Sequence, residues 1–422
     1  MDIIKAPRGV RDVLPDESWK WAYVVETARK VADAFGYDEV HLPIFEHTEL
    51  FSRGIGDSTD VVEKEMYTFK DRSGRSLTLR PELTASMVRC YLEHGLLKRV
   101  QPVKLWSMGP MFRYERPQKG RYRQFWQLDV EALGSGAPEV DLEIVSFAVY
   151  LFDTLGLSNL EVVVNSVGCP VCRPVYREAL KEYVGSNYDE LCTTCQNRFE
   201  RNPLRILDCK NEHCREIMKE APGMVGYLCD ECSEHFQKVK EGMSLLGISY
   251  KEDKNLVRGL DYYTKTAFEV LSGELGAQNA VCGGGRYDNL AEAIGGPHVP
   301  GVGFAAGIER IVLTMEGQGC DFGRKPGIDV FVATADDSAR KTALKLLYDI
   351  RRNKVSADMD YSGKSLSSQL KMASNKKAKL ACILGSAEIQ KGVVTVKDLV
   401  SGLQEEVPQN SLTNHIKQYI VR

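Results

Sequence analysis

Two short stretches of alternating apolar and polar residues stand out in the first third of the chain, at 112–115 and 125–131. Neighbouring side chains of a strand point to opposite faces, so each stretch predicts a strand with two chemically different faces. The residues between them, 116–123, contain four Lys or Arg side chains and a glycine. The pattern therefore predicts an antiparallel hairpin with a basic loop. The second strand is expected to place three side chains in a core, Trp126, Leu128 and Val130.

The other face of this hairpin is polar, with Arg113 and Glu115 on one strand and Gln127, Asp129 and Glu131 on the next. A solvated face of an ordinary hairpin is one interpretation. The strongly apolar flanks favour a second interpretation, in which the two strands lie inside a larger sheet. Clustered ionisable groups are costly there unless they serve a binding or catalytic site.

Apolar residues at helical spacing and short apolar runs predict further elements before residue 320. A run at 40–45 contains Pro43, which indicates an edge strand or a contact surface for a partner chain. The other predicted elements are helices at 18–35, 85–94 and 138–155, and strands at 77–80, 160–165 and 266–270.

Several turns and strand ends carry residues suited to a ligand. Glu82 and Thr84 precede a predicted helix, where a carboxylate and a hydroxyl either cap the helix or hold a substrate ammonium. At 256–264 an arginine and two tyrosines precede a strand, which suits a pocket rim or a core. Three consecutive glycines within 282–288 permit a close backbone approach, whereas 301–313, a strand running into a helix, lacks the spacing of a dinucleotide-binding motif.

Size, composition and charge narrow the class of protein. The 422 residues, 27% charged and 43% hydrophobic, suit a soluble globular enzyme of two or three domains. No apolar run approaches a membrane span and the first residues lack a secretory signal, so we expect a cytoplasmic location. After a glycine-rich linker at 316–326, alternating strand and helix patterns predict a separate domain with a mostly parallel sheet. From residue 327 onward the chain has 15 Lys and Arg and 10 Asp and Glu, a net charge of +5. Because the whole chain has a net charge of −3, the residues before 327 carry −8. A polyanionic partner of that basic domain and ordinary surface variation explain this equally well.

Twelve cysteines are many for a cytoplasmic chain, and eight of them form four close pairs. In a reducing compartment such pairs indicate metal ligands before disulfides. Four thiolates suit one tetrahedral zinc ion, so eight would suit two structural ions, although the spacing does not say which pairs share a metal. A cysteine-rich segment without metal is the alternative. The pairs are Cys169 and Cys172, Cys192 and Cys195, Cys209 and Cys214, and Cys229 and Cys232.

Taken together, these stretches resemble the histidyl-tRNA synthetases, a family of class II aminoacyl-tRNA synthetases. The sequence Arg-Gly-Leu-Asp-Tyr-Tyr-Thr at 258–264 is similar to a signature of that family, and the hairpin at 112–124 is similar to class II motif 2. Residues 301–313 resemble motif 3, and the region around Pro43 resembles motif 1, the dimer element. The glycine stretch at 283–288 resembles a second histidine-pocket motif, so the likeness extends over essentially the whole chain.

The resemblance implies an α/β fold class. It comprises an α+β catalytic domain on the antiparallel class II synthetase sheet flanked by helices, a Cys-rich helical insertion and a C-terminal α/β anticodon-binding domain. The implied substrates are L-histidine, ATP with Mg²⁺ and tRNA(His), and the implied assembly is a homodimer without membrane association. The expected boundaries are 1–167 and 252–318 for the catalytic domain, 168–251 for the insertion and 327–422 for the last domain.

The same resemblance assigns roles to individual residues. Residues expected at histidine are Glu82 and Thr84 at the ammonium, Gln127 at the polar end, Glu131 and Tyr263 at the two imidazole nitrogens, and Tyr262 beside them. Residues expected at ATP are Arg113, Glu115, Arg121 and Arg310, with Arg113 and Arg258 as the catalytic cations at the α-phosphate. Residues expected at the acceptor end of tRNA are Gln118 and Lys119.

Two other interpretations remain at this point. A histidine-sensing regulatory subunit of ATP phosphoribosyltransferase would share the fold but lack the Arg258-type signature and the last domain. A zinc-stabilised RNA-binding scaffold would have no use for the clustered acidic and basic residues.

Overall fold

The computed structural model divides into two compact units, and none of its described helices is long and apolar enough to cross a membrane. The units are Met1–Gly323 and Arg324–Arg422. The residues that the structure describes are 3–57, 59–118, 120–275, 279–323 and 327–420.

The described part of the first unit combines helices with an eight-stranded and a three-stranded sheet. Its helices are α1 (Pro15–Phe35), α2 (Thr48–Ile55), α3 (Thr84–Glu93), α4 (Pro138–Thr154), α5 (Cys172–Ser186), α6 (Thr193–Arg201), α7 (Glu212–Met218), α8 (Asp230–Leu245), α9 (Leu290–Ala293) and α10 (Ile308–Gln318). Its strands are β1 (Asp38–Glu39), β2 (Phe45–His47), β3 (Tyr67–Lys70), β4 (Ser76–Leu79), β5 (Val103–Phe112), β6 (Gln124–Leu133), β7 (Leu160–Ser166), β8 (Tyr250–Glu252), β9 (Thr264–Ser272), β10 (Ala280–Arg286) and β11 (Gly301–Gly307).

The large sheet has the strand order β1-β5-β6-β11-β10-β9-β7-β8. Its central pairs are antiparallel, and only the outer pairs β1–β5 and β7–β8 among the described strands are parallel. One face packs against α1, α4, α8 and α10, and the other against α2, α3 and α9. The side chains packed under these helices lie in a dry environment, in which a few polar residues can be held rigidly.

The predicted hairpin is present, but its first strand lies earlier in the chain than expected. The prediction of a strand at 112–115 is wrong, because β5 ends at Phe112 and the next residues leave the ladder. The Tyr114 N–H donates instead to the carbonyl of Glu65, at 2.7 Å. A contact with a distant segment therefore ends the strand where alternation alone would continue it.

The two faces of β6 are both buried, which rules out a solvated polar face. Leu128 and Val130 lie fully in the core as predicted, and Trp126 is half-buried. Asp129 and Glu131, on the opposite face, have 0% exposure. The polar face of the hairpin therefore belongs to the interior of the sheet.

The strand predicted at 40–45 is also wrong. Residues 40–44 form an irregular link between β1 of the large sheet and β2 of the small sheet, whose order is β2-β4-β3, and only Phe45 lies in a strand. The guanidinium of Arg80 donates to the carbonyls of Leu42 and Pro43, at 2.8 and 3.0 Å. A buried side chain thus satisfies carbonyl groups that a strand partner would otherwise take.

A buried ion-pair network connects the large sheet to the helices α4 and α8. Arg286, at the end of β10, donates to Asp141 and Asp288, and His235 of α8 lies 3.2 Å from Asp141. The side chain of Arg286 has 0% exposure. A buried guanidinium is stable only with such partners, so Arg286 fixes α4 and α8 on the sheet.

The second unit contains a five-stranded sheet in the order β13-β12-β14-β15-β16. Its first three strands are parallel and the last two antiparallel, so the predicted mostly parallel sheet is present with an antiparallel edge. The edge strand β16 was not predicted because only Val407 among its residues is buried. The strands are β12 (Val330–Thr334), β13 (Ala357–Met359), β14 (Leu380–Leu384), β15 (Val393–Asp398) and β16 (Gln404–Pro408). The helices are α11 (Arg340–Arg352), α12 (Leu366–Asn375), α13 (Ser386–Lys391) and α14 (Leu412–Ile420).

Candidate active site

A cleft of about 870 Å³ opens over the centre of the eight-stranded sheet, between β6, β9, β10 and β11. Its lining contains six arginines and six carboxylates, and the arginines include Arg113, Arg121, Arg258 and Arg310. The planar guanidinium is suited to phosphate oxygens, and the carboxylates beside these arginines hold several of them in place. The cleft therefore has the character of a polyphosphate site.

Contacts with the protein fix two of these arginines. Arg113 donates through Nε to the carbonyl of Pro81 at 2.9 Å and lies over the ring of Phe125, 5.5 Å from its centroid. Arg121 pairs with Glu115 at 2.9 Å, so both predicted residues of the loop face the same cleft. Their positions are set before a ligand binds, which lowers the entropic cost of binding.

Arg258 occupies the floor of the cleft. It pairs with Glu269 of β9 and stacks on the ring of Tyr263, 5.4 Å from its centroid. The place of its guanidinium depends on Gly283 of β10, because a Cβ atom at Gly283 would lie 2.3 Å from Nη1 of Arg258. The glycines at 282–288 are therefore part of a strand and make room for an arginine and a neighbouring strand.

Arg310, at the start of α10, faces Arg121 across the cleft and donates to the carbonyl of Ala280. Burial, and then the positive charge of Arg121, lower the pKa of Arg310. Two cations that repel each other in a partly buried cleft gain most from an anion between them.

A layer of buried carboxyl groups lies beneath the cleft. Thr84 donates to Oε1 of Glu131 at 2.7 Å, and the hydroxyl of Tyr287 donates to Oε2. Burial raises the pKa of Glu131 to about 8. Glu131 pairs in register with Gly303 of β11, where a Cβ atom would lie 1.6 Å from its carboxylate oxygen. Only glycine at that position leaves space for the carboxyl group.

Glu82 caps the start of α3. Its carboxylate accepts hydrogen bonds from the backbone N–H groups of Thr84 at 2.7 Å and Ala85 at 3.0 Å. Burial raises the pKa of Glu82 despite these donors. The capping interpretation is thus realised, and the role of Glu82 at a substrate ammonium stays a prediction.

Three tyrosines form the wall of this buried layer. The ring of Tyr262 lies 4.7 Å from that of Tyr263 and 5.7 Å from that of Tyr287. Tyr263 also lines a small cavity of about 50 Å³ together with Arg258. The layer and the cleft therefore meet at Arg258 and Tyr263.

Some polar atoms between cleft and layer have no hydrogen-bond partner among the described residues. They are Oε1 of Gln127, both carboxyl oxygens of Asp129 and Nε of Arg258. Unpaired buried polar atoms are costly, which favours a site that a polar ligand completes.

The structure therefore places the predicted residues in two connected groups. The residues that line the cleft are Arg113, Glu115, Arg121, Gln127, Arg258 and Arg310. The residues buried beside it are Glu82, Thr84, Glu131, Tyr262 and Tyr263. Gln118 is exposed and pairs through its backbone with Arg121, whereas Lys119 lies outside the described residues.

Sequence reasoning missed Tyr287 and Glu269 as members of the site. Both lie in stretches described in the sequence analysis: Tyr287 in the glycine-rich stretch at 282–288 and Glu269 in the predicted strand at 266–270. Their partners, Glu131 and Arg258, lie on other elements, and no spacing rule links residues 131 and 287.

The eight paired cysteines form two groups in the described structure, and within each group all sulfur atoms lie within 4.8 Å of one another. The Sγ–Sγ distances include 3.6 Å between Cys169 and Cys172 and 3.8 Å between Cys192 and Cys209. Tetrahedral zinc with bonds of about 2.3 Å places its sulfur ligands about 3.8 Å apart. The donor sets therefore fit zinc. The groups are Cys169, Cys172, Cys229 and Cys232, and Cys192, Cys195, Cys209 and Cys214.

Comparison with known proteins gives a consistent result over the whole chain. Residues 9–311 match the family described as histidyl-tRNA synthetase, and residues 329–419 match the anticodon binding domain. A histidine–tRNA ligase of Desulforamulus reducens is 51% identical over 411 residues, which cover 97% of this chain and 98% of that protein. The corresponding protein of Acetivibrio thermocellus is 49% identical over 415 residues, covering 98% and 100%. A crystal structure of apo histidyl-tRNA synthetase from S. aureus superposes with a TM-score of 0.84 at 38% identity, covering 98% of this chain and 100% of that one.

Replacement of Glu131 by Gln is expected to change how stability depends on pH. The Glu131 carboxyl has a pKa of about 8 when folded against a reference value of 4.5. The folded state thus holds the extra proton between these values, and the free energy of unfolding falls as the pH rises through that window. From about pH 6 to pH 8 the fall attributable to this group is about 2 kcal/mol, measurable by chemical denaturation.

The Glu131→Gln variant should lack this component, whereas Glu178→Gln, at an exposed position of α5, should keep it. Equal pH slopes for the wild type and Glu131→Gln would contradict the raised pKa.

Proposed function

The chain belongs to the histidyl-tRNA synthetase family, and from that premise we propose how its cleft activates histidine and passes it to tRNA. The overall reaction is the ATP-dependent charging of tRNA with histidine. One observation carries the assignment of residues: the four arginines expected at the phosphates line one cleft, whose floor adjoins a buried layer of carboxyl and phenol groups.

ATP occupies the arginine-lined cleft. Arg113 and Arg258 neutralise the α-phosphate, and Arg121 and Arg310 bind the β- and γ-phosphates, while Glu115 contacts the adenine side. The mutual repulsion of Arg121 and Arg310 supports this arrangement. Mg²⁺ accompanies ATP and neutralises phosphate charge, and the carboxylates that line the cleft offer it the oxygen ligands it prefers.

Histidine occupies the buried layer beside the α-phosphate position. Glu131 and Tyr263 bind the two imidazole nitrogens, with Tyr262 beside them. Glu82 and Thr84 hold the ammonium. A site that hydrogen-bonds both edges of a ring leaves buried groups unpaired with the wrong amino acid, which gives discrimination on the order of 10⁴–10⁵.

The free polar atom of Gln127, Oε1, lies between the two substrates and supports its role at the polar end of histidine. Each carboxyl oxygen of Glu131 accepts one hydrogen bond, from Thr84 or from Tyr287, and a carboxylate oxygen can accept a second one from an imidazole N–H.

The first chemical step joins histidine to AMP. The histidine carboxylate attacks the α-phosphorus, the bond to the β-phosphate oxygen breaks, and pyrophosphate leaves. The nucleophile is already ionised, so the step requires no general base. Catalysis consists of positioning the reactants and opposing the developing phosphoryl charge with fixed cations.

In the second step a hydroxyl of the terminal ribose of tRNA(His) attacks the activated carbonyl, and AMP leaves. Gln118 and Lys119, which follow β5 in the sequence, contact the acceptor end. The exposed position of Gln118 beside Arg121 supports this role. The second unit, which carries a net charge of +5 from residue 327 onward, binds the anticodon region.

The histidine-sensor alternative is disfavoured by two features of the chain. Such subunits lack an Arg258-type signature and the last domain, whereas here Arg258 lies on the cleft floor and residues 329–419 match an anticodon binding domain. We place the enzyme in the cytoplasm, where its substrates occur.

The Arg258→Ala variant should abolish adenylate formation, with a loss of about 10³-fold or more in histidine-dependent pyrophosphate–ATP exchange. Histidine binding should stay within about tenfold, because Arg258 acts on the phosphate. Gly283→Ala should give a similar loss by displacing the guanidinium, whereas Gly273→Ala, with open space around its Cβ position, should not. Near-normal exchange by Arg258→Ala would refute its role.

Each cysteine group binds one structural zinc ion, whose binding contributes to folding of the insertion. Elemental analysis of protein purified without chelators should give two zinc ions per chain. The Cys320→Ser variant, whose cysteine lies outside both groups, should keep the same content. A zinc content near zero for the wild type would exclude both sites.

The functional assembly is a homodimer that uses the three-stranded sheet. Ile44 and Phe45 are 45% and 53% exposed, and Phe69 is 44% exposed. The register pairs Phe45 with Leu79 and Phe69 with Leu77, so both rings share one face. A grouped apolar face of this kind supports a protein contact.

Replacing Phe45 with Glu should shift the mass from dimer to monomer in sedimentation equilibrium, because a charge would be buried at the contact. Val400→Glu, at a 90% exposed position of the second unit, should leave the dimer intact. A wild-type monomer, or a stable dimer of Phe45→Glu, would contradict this surface.

A further inference from the structure

Two arginines of the cysteine-rich insertion form hydrogen bonds with the two ends of residues 258–263, here called the signature segment. Arg205 donates through Nη1 to the backbone carbonyl of Arg258, at 3.2 Å. Arg173 donates through Nη2 to the backbone carbonyl of Tyr263. The first contact lies on the nucleotide side of the site and the second on the amino-acid side.

Each of these arginines is carried by one cysteine group. Arg173 directly follows Cys172 at the start of α5, and its N–H donates to the carbonyl of Cys169 at 3.0 Å. Arg205 lies in the turn between Cys195 and Cys209. A metal ion bound by the four cysteines of one group would therefore fix the backbone that carries the corresponding arginine.

The part of the insertion around Arg205 makes further contacts with the catalytic body. Asp60, which lines the cleft together with Arg205 and Arg198, lies 3.5 Å from Arg205 and 3.0 Å from Arg198. Asn202 donates to the carboxylate of Asp261 at 3.1 Å. The segment between Cys195 and Cys209 therefore contacts both the cleft wall and the signature segment.

We propose that the two metal-closed cysteine groups act as separate positioning devices for the two halves of the active site. The group of Cys192, Cys195, Cys209 and Cys214 positions Arg258 for ATP through Arg205. The group of Cys169, Cys172, Cys229 and Cys232 positions Tyr263 for histidine through Arg173. Arg205 and Arg173 are positioning residues, and the proposal rests on the function proposed above.

Pyrophosphate–ATP exchange by the full-length enzyme tests this division. Arg205→Met should raise the KM for ATP or lower kcat by about tenfold, the effect of one charge-assisted hydrogen bond, with the KM for histidine nearly unchanged. Arg173→Met should raise the KM for histidine by about tenfold and leave the KM for ATP nearly unchanged. A general loss of structure would change the KM for ATP and the KM for histidine together.

Matched controls come from the same insertion. Arg201 pairs with Glu63 of the catalytic body, and Arg177 donates to the carbonyl of Glu200, but neither has a described contact with the signature segment. Arg201→Met and Arg177→Met should therefore keep both KM values.

The metal is tested with Cys195→Ser and Cys172→Ser, each of which should lower the zinc content from two ions to one. Cys195→Ser should reproduce the ATP effect of Arg205→Met, and Cys172→Ser the histidine effect of Arg173→Met. If a cysteine variant fails to fold, the arginine variants still decide the question.

Equal changes of both KM values in the two arginine variants, or values equal to those of the controls, would overturn the proposal. A wild-type enzyme without histidine-dependent exchange would instead overturn the proposed function. Normal KM values in folded enzyme from which zinc has been removed would show that the metals do not position Arg205 and Arg173.

Discussion

The structure of the catalytic unit depends on keeping carboxyl groups in a dry interior next to a cleft of fixed cations. Glu82, Asp129 and Glu131 are almost completely buried, and burial raises the pKa of each. Three buried anions without counter-charges would be strongly destabilising. Protons, backbone donors and hydroxyl groups support them in the free protein, and a cationic substrate can take over part of that role.

The sheet makes this arrangement possible because its order brings distant parts of the chain into contact. Strand β6 lies beside β11, and β10 and β9 follow, so Glu131, Gly303 and Gly283 occupy one small region. Glycines on β10 and β11 provide the space that the large polar side chains need. Helices on both faces then exclude water from it, which strengthens every electrostatic contact inside.

Local patterns predicted those elements whose own residues decide their structure. Helix α1 ends at Phe35, as predicted, where Gly36 takes the left-handed conformation, and β7 covers the strand predicted at 160–165. The errors at 40–45 and 112–115 arose where Arg80 and the carbonyl of Glu65 compete for backbone groups. Such partners come from the tertiary fold, and the same holds for Tyr287, which alternation and spacing could not connect to the hairpin.

The pairing of the cysteines was open from spacing, and in the fold the first pair joins the last while the two middle pairs join each other. The two closed loops are therefore nested. A chain growing from its amino terminus completes the inner set at Cys214, before Cys229 and Cys232 have been made. Assembly of the insertion during synthesis thus has a built-in direction, from the inner loop outward.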